Sequence, residues 1–139
     1  MKTARANKFR SMLVSVAALL AVGTASVLAG ANWSQADVTG TPGGGSYRVD
    51  YGHADYKITS AAKASFNGDY MTAHLGGQVA LFDGNGNRQS DWVGLWINQT
   101  WRASSWASVY KYYYGGYKTN TYEPNNGQVA RFHFSSDML

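Results

Sequence analysis

The side chains able to do acid–base chemistry are few in this 139-residue chain: three histidines, His53, His74 and His133, and a single glutamate, Glu123. His53 and Asp55 lie two apart, which on a strand gives them a common face. A Ser–His–Asp arrangement would also need a serine within reach of the imidazole, and no G-x-S-x-G turn marks one. Glu123 paired with an aspartate could flank a glycosidic bond, but it opens Glu123-Pro124-Asn125-Asn126-Gly127, the sequence of an ordinary turn. No catalytic set is therefore expected, and a small hydrolase built on Glu123, His53 and neighbouring aspartates stays open as an alternative. The histidines stand in separate segments without H-x-x-x-H spacing and the chain has no cysteine, so neither a metal site nor a cofactor is expected. Asp83-Gly84-Asn85-Gly86-Asn87 begins like a calcium loop. It then places Arg88 where such a loop needs glycine and Gly94 where it needs a bidentate glutamate. Hairpin chemistry is the better reading, and an exposed loop of this kind is also what a protease inhibitor presents.

The aromatic side chains carry the stronger signal. All five tryptophans and all ten tyrosines lie after residue 31. Between Trp92 and Tyr122 they crowd: Trp92, Trp96, Trp101 and Trp106 are joined by Tyr110, Tyr112, Tyr113, Tyr114, Tyr117 and Tyr122. Tyr113 falls on the opposite strand face from Tyr112 and Tyr114, so one core cannot take every ring. Rings left at the surface stack on sugars or bases, or sit at a membrane interface. The expected ligand contacts are Trp96, Trp101, Trp106, Tyr112 and Tyr114.

These residues must be positioned by short strands. Ser46 to Gly52 alternates Tyr47, Val49 and Tyr51 with Arg48 and Asp50, the period-2 signature of a half-buried strand. Further strands are expected over Ala54–Phe66, Asp69–Leu75, Gln78–Phe82, Trp92–Asn98, Trp106–Tyr114, Tyr117–Tyr122 and Gln128–Phe134. Turns are expected at Asn67-Gly68, Gly76-Gly77, Asp83–Asn87, Gly115-Gly116 and Glu123–Gly127. Trp92 to Asn98 is apolar on both faces and reads as a central strand, with Trp101 to Ser105 as a connection. No helical stripe appears after residue 31. The expected fold is all-β, a small antiparallel β-sandwich or partly open barrel over residues 46–139, preceded by a flexible lead-in over 32–45.

The N-terminus has a different character. Lys2, Arg5, Lys8 and Arg10 form a basic head, Met12 to Val22 an apolar run, and small residues lead to Ala29-Gly30-Ala31. That is the three-part pattern of a cleaved export signal, and the run is shorter than the ~20 apolar residues a membrane span needs. Residues 1–31 are read as a signal peptide, cleaved after Ala29, Ala31 or Ala36, and the product as secreted. The signal accounts for the basic charge of +4: its four bases come off twelve, leaving eight against eight acids. A neutral body with scattered bases excludes a phosphate footprint, so nucleic acid is not an expected partner.

Gly43-Gly44-Gly45-Ser46-Tyr47, Tyr51-Gly52 and His74 before Gln78-Val79-Ala80-Leu81 are followed by Ser90-Asp91-Trp92-Val93-Gly94-Leu95-Trp96 and Ala107-Ser108-Val109-Tyr110 to Tyr114. In this order they resemble the lactococcin 972-type bacteriocins, over about residues 43–114. The resemblance implies a secreted antibacterial β-sandwich acting at the envelope of competing Gram-positive bacteria. It also implies binding of a lipid-linked cell-wall precursor near the membrane surface, a block on septum formation and an immunity protein in the producer. A secreted carbohydrate-binding module or protease inhibitor without killing activity is the alternative.

Overall fold

The computed structural model describes residues 31–139. The export segment read from the sequence, with Ala29, lies outside the described residues. Eight strands follow in order: β1 (Ser34–Thr41), β2 (Tyr47–Tyr56), β3 (Lys63–Met71), β4 (Gly77–Phe82), β5 (Val93–Gly94), β6 (Thr100–Ser104), β7 (Tyr112–Thr119) and β8 (Gln128–Ser135). They form two four-stranded sheets, β1-β8-β3-β6 and β2-β7-β4-β5, with every strand pairing antiparallel. The sheets pack face to face as a sandwich, and the described residues contain no helix. The all-β expectation holds, and the barrel alternative does not.

The core follows from alternation. Ala36 and Val38 of β1, Phe66 of β3, and Ala130, Phe132 and Phe134 of β8 point from the first sheet toward Val79, Leu81, Tyr113 and Tyr117 of the second. Phe132 lies 6.4 Å from Phe66 and 6.2 Å from Phe134, ring centre to ring centre. Without cysteine, these rings supply the burial that holds the sheets together, at roughly 1.5–3 kcal/mol for each buried aromatic or aliphatic side chain.

Several expectations are corrected, and pairing across the sheets is the reason each time. Residues 32–45 are not a flexible lead-in, because Ser34–Thr41 is strand β1, paired with β8 from Ser34↔Phe134 to Thr41↔Gln128. Asn67-Gly68 is no turn but the middle of β3, where Gly68 is needed for close approach. A side chain there would come within 2.6 Å of the Trp96 carbonyl, which accepts the Gly68 amide at 3.0 Å. Gly115-Gly116 likewise sits inside β7. A Cβ at Gly115 would meet the Phe132 ring at 2.8 Å, and one at Gly116 the Phe82 ring at 2.4 Å. Trp92–Asn98 shrinks to Val93–Gly94, an edge strand rather than a central one. The expected connection Trp101–Ser105 is instead mostly β6.

Beyond β8 the chain is fastened by buried polar groups. Lys57 Nζ, with its side chain fully buried, donates to the carbonyls of Ser136 (2.7 Å) and Ala61 (3.0 Å) and lies 3.5 Å from Asp137. Asp137 accepts from the Ile58 and Thr59 amides and the Thr59 hydroxyl. Asp55 accepts from the amide and hydroxyl of Ser136 and from the Ser34 hydroxyl. Burial pushes the Asp55 carboxyl up to about 6, and the Asp137 charge adds to that, against the hydrogen bonds that favour its ionised form.

Two outcomes are expected. Gly116→Ala forces the new methyl into Phe82 and should cost about 1–3 kcal/mol in denaturant unfolding. Paired with Phe82→Leu it should cost less than the sum of the two single changes. Asp55 binds its proton more tightly folded than unfolded, so its contribution to stability is complete below about pH 4 and is lost as pH rises through about 6. The loss is on the order of 2–3 kcal/mol, and Asp55→Asn should flatten the stability profile between pH 4 and 7.

Candidate functional site

The outward face of the second sheet is where the tyrosines gather. β2 and β7 pair with Tyr56 opposite Tyr112 and Tyr47 opposite Lys118, and β4 sets Phe82 opposite Tyr114. Alternation then turns Tyr113 and Tyr117 into the core and leaves Tyr112, Tyr114 and Lys118 outside. The rings meet in three rungs. Tyr56 and Tyr112 lie 4.8 Å apart, Tyr51 and Tyr114 5.4 Å, and Tyr47 stacks on Phe82 at 5.3 Å with Trp92 edge-on at 5.7 Å. Tyr47, Tyr51 and Tyr112 each keep half or more of their surface in solvent, at 50%, 51% and 59%. Phe82, at 2%, is the buried floor beneath them, over the bare backbone of Gly116.

Cations close one end of the row. Lys118 Nζ stands 4.5 Å above the Trp92 ring, and the Arg88 guanidinium lies 6.0 Å from Trp92 and 5.6 Å from Trp106. Such placements hold indole faces in fixed orientation. From Tyr112 to Lys118 the row runs six residues along β7, roughly 20 Å at strand rise. Burial holds the Tyr51 and Tyr56 hydroxyls above their ordinary value, helped by neighbouring tyrosines and, for Tyr51, by Asp83. They stay neutral donors at physiological pH. At the Lys118 end the row opens into a cleft of about 620 Å³, walled by Leu75, Gln78, Trp96, Ile97 and Thr121.

The five expected contacts divide between two places. Tyr112, Tyr114 and Trp106 belong to the aromatic face. Trp96 and Trp101 form their own pair, 6.2 Å apart, between β5 and β6, with Trp96 also lining the cleft. Tyr47, Tyr51, Tyr56, Trp92 and Lys118 were not among the expected contacts. The alternation of Tyr47 and Tyr51 was legible, but their place beside Tyr114 depends on the long-range β2–β7 register.

His74 lines the cleft, while His53, Asp55 and Glu123 have structural partners. His53 does not face Asp55: a register break between Asp50 and Ala54 sends Asp55 inward, and His53 Nδ1 lies 2.7 Å from Asp50 instead. Against the burial that raises it, hydrogen bonds from the Asp37 and Gly52 amides and from His53 hold the Asp50 carboxyl below its ordinary value. Glu123 is buried, with Oε2 accepting the Asn125 amide at 3.2 Å. Burial, with the Glu123 charge added, pushes the Tyr117 hydroxyl up to about 12. Asp83 accepts the Asn85 and Asn87 amides at 2.9 Å, so its carboxylate caps its own loop beside Tyr51. No family model and no curated protein sequence matches the chain.

Truncation separates floor from face. Phe82→Ala should cost about 3–5 kcal/mol, whereas Tyr56→Ala or Tyr112→Ala should stay within about 1 kcal/mol, the scale of a cross-strand pair. Urea titration of the three variants checks this.

Proposed function

We propose that this chain is an exported, non-catalytic binding protein whose aromatic face stacks on the sugar rings of a bacterial cell-envelope glycan. The bacteriocin resemblance makes a lipid-linked cell-wall precursor the ligand of choice and inhibition of competing Gram-positive bacteria the consequence. The observation that carries the reading is the row of half-exposed tyrosines across β2 and β7. Tyr47, Tyr51, Tyr56 and Tyr112 on the sheet, with Trp106 and Tyr110 in the loop before β7, leave far more ring surface in water than folding requires. Sugar rings offer apolar faces to such rings and hydroxyls to their phenols and to Lys118 and Arg88.

The fold also bears on export. A cut after Ala31 leaves β1 whole, whereas a cut after Ala36 would remove Ser34 and Gln35 from their pairing with Phe134 and His133. Cleavage before Asn32 therefore suits the proposed secreted form.

The test is a growth-inhibition assay of residues 32–139 on a Gram-positive panel, with septation followed by microscopy, beside binding to purified cell-wall glycan. By analogy with ring stacking on bases, about 1–3 kcal/mol per ring, Tyr56→Ala/Tyr112→Ala should weaken binding at least tenfold. Glu123→Gln should leave it unchanged. Glycan binding at the tyrosine face that survives loss of the tyrosines, or a folded wild-type protein that binds no envelope glycan, overturns the reading.

A further inference from the structure

The opposite outer face carries a separate pocket of about 310 Å³, lined by Trp33, Asn67, Thr100 and His133. Three of these stand in one row across the first sheet. Asn67 of β3 is directly opposite Thr100 on β6 and His133 on β8. Their strand neighbours Phe66 and Phe134 point into the core, so alternation turns the row outward. Trp33, just before β1, supplies the one indole among the four, and 37% of its surface is exposed.

The polar atoms of the row are already oriented. The Asn67 Nδ2 donates to Thr100 Oγ1 at 2.9 Å, which leaves the Asn67 carbonyl oxygen to accept and the Thr100 hydroxyl hydrogen to donate. His133 Nδ1 lies 2.9 Å from Asp69 Oδ2, so the carboxylate holds Nδ1–H and Nε2 is presented as an acceptor. An indole, an amide oxygen, a hydroxyl and an imidazole nitrogen thus converge on one small volume. Among the described residues no lysine or arginine lines it, and Asp69 stands behind the imidazole, so an anion is disfavoured. Uncharged groups that accept and donate beside an aromatic ring fit the adjacent hydroxyls of a pyranose.

We infer that this pocket is a second carbohydrate site, taking a single uncharged sugar ring between Trp33 and the Asn67–Thr100–His133 row. It rests on the envelope-glycan reading for its source of sugar, but not on the tyrosine face for its chemistry. The two sites lie on opposite outer faces of the sandwich, so one molecule joins two glycan strands instead of gripping one twice.

The experiment is an NMR titration of residues 32–139 with soluble peptidoglycan fragments, following the five indole N–H signals and the histidine ring signals. Wild type is expected to show two binding events. In Tyr56→Ala/Tyr112→Ala the event that moves Trp33 and His133 should persist. In Trp33→Ala it should weaken by about tenfold or more while the tyrosine-face event persists. Thr100→Val, at an exposed position, provides the same test should Trp33→Ala fail to fold. Trp33 and His133 signals that stay still while the tyrosine face binds overturn the second site and leave the first reading standing. Binding at Trp33 with a silent tyrosine face does the reverse.

Discussion

Two residues without side chains, Gly115 and Gly116, set the spacing on which both halves of the structure rely. β7 is an inner strand of its sheet, flanked by β2 and β4, and at its middle it presents bare backbone to both sides. On the inner side Phe132 and Ala36 of the other sheet close onto Gly115; on the outer side Phe82 lies down on Gly116. A methyl on either residue would displace an aromatic ring. The inner ring belongs to the Phe66–Phe132–Phe134 cluster that joins the sheets, and the outer one is the floor on which Tyr47 and Trp92 rest. Glycine within a strand is costly in chain entropy and offers nothing to pack. Here the loss is offset by two large rings seated close to the backbone, one for the core and one for the face.

The second constraint is polar. Lys57, Asp137 and Asp55 are buried together, two carboxylates for one ammonium, and every one of them is hydrogen-bonded. Such a cluster is weak as a source of net stability, because desolvation offsets most of the attraction. Removing one partner is another matter, since it strands a charge in the interior. The arrangement therefore acts as a positional lock: residues 136 and 137 fit against Lys57–Thr59 in one way only. In a chain without disulfides this fixes the segment after β8 against the connection between β2 and β3. Burial is what lifts the Asp55 carboxyl, and the neighbouring Asp137 charge adds to it.

Sequence reading reached the local pattern and failed where distant segments decide. The alternation of Tyr112 and Tyr114 against Tyr113, and the strand over Gln78–Phe82, were legible because period 2 is a property of neighbours. β1 was missed since its only apolar side chains are Ala36 and Val38 in an otherwise polar stretch, and its pairing to β8 is what makes it a strand. Glycine pairs misled in the same direction twice. Asn67-Gly68 and Gly115-Gly116 are turn signals by local chemistry, but their glycines answer to the Trp96 carbonyl and to Phe132 and Phe82, atoms tens of residues distant in sequence. The aromatic concentration was visible as composition. Its division into a tyrosine face and a separate Trp96–Trp101 pair depends on which strands are neighbours, and that information is not local.

The edges of the sheets bear on why the faces, and not the strand edges, are the proposed docking surface. An exposed strand edge invites pairing with another chain, and natural sheets blunt it. β5, at one edge of the second sheet, has only two residues. β2, at the other edge, is bent by the register break between Asp50 and Ala54, where Asp50 takes up the Gly52 amide and the His53 ring. β1, an edge of the first sheet, breaks register between Val38 and Thr41. With backbone pairing discouraged on three of the four edges, most of the adhesive surface left is side-chain surface: flat rings with polar tips. Rings of that kind bind by stacking on other planar or faceted groups and release water from both partners, without adding a strand. A sandwich so arranged can expose many aromatic rings while three of its four strand edges are blunted against pairing with its own copies.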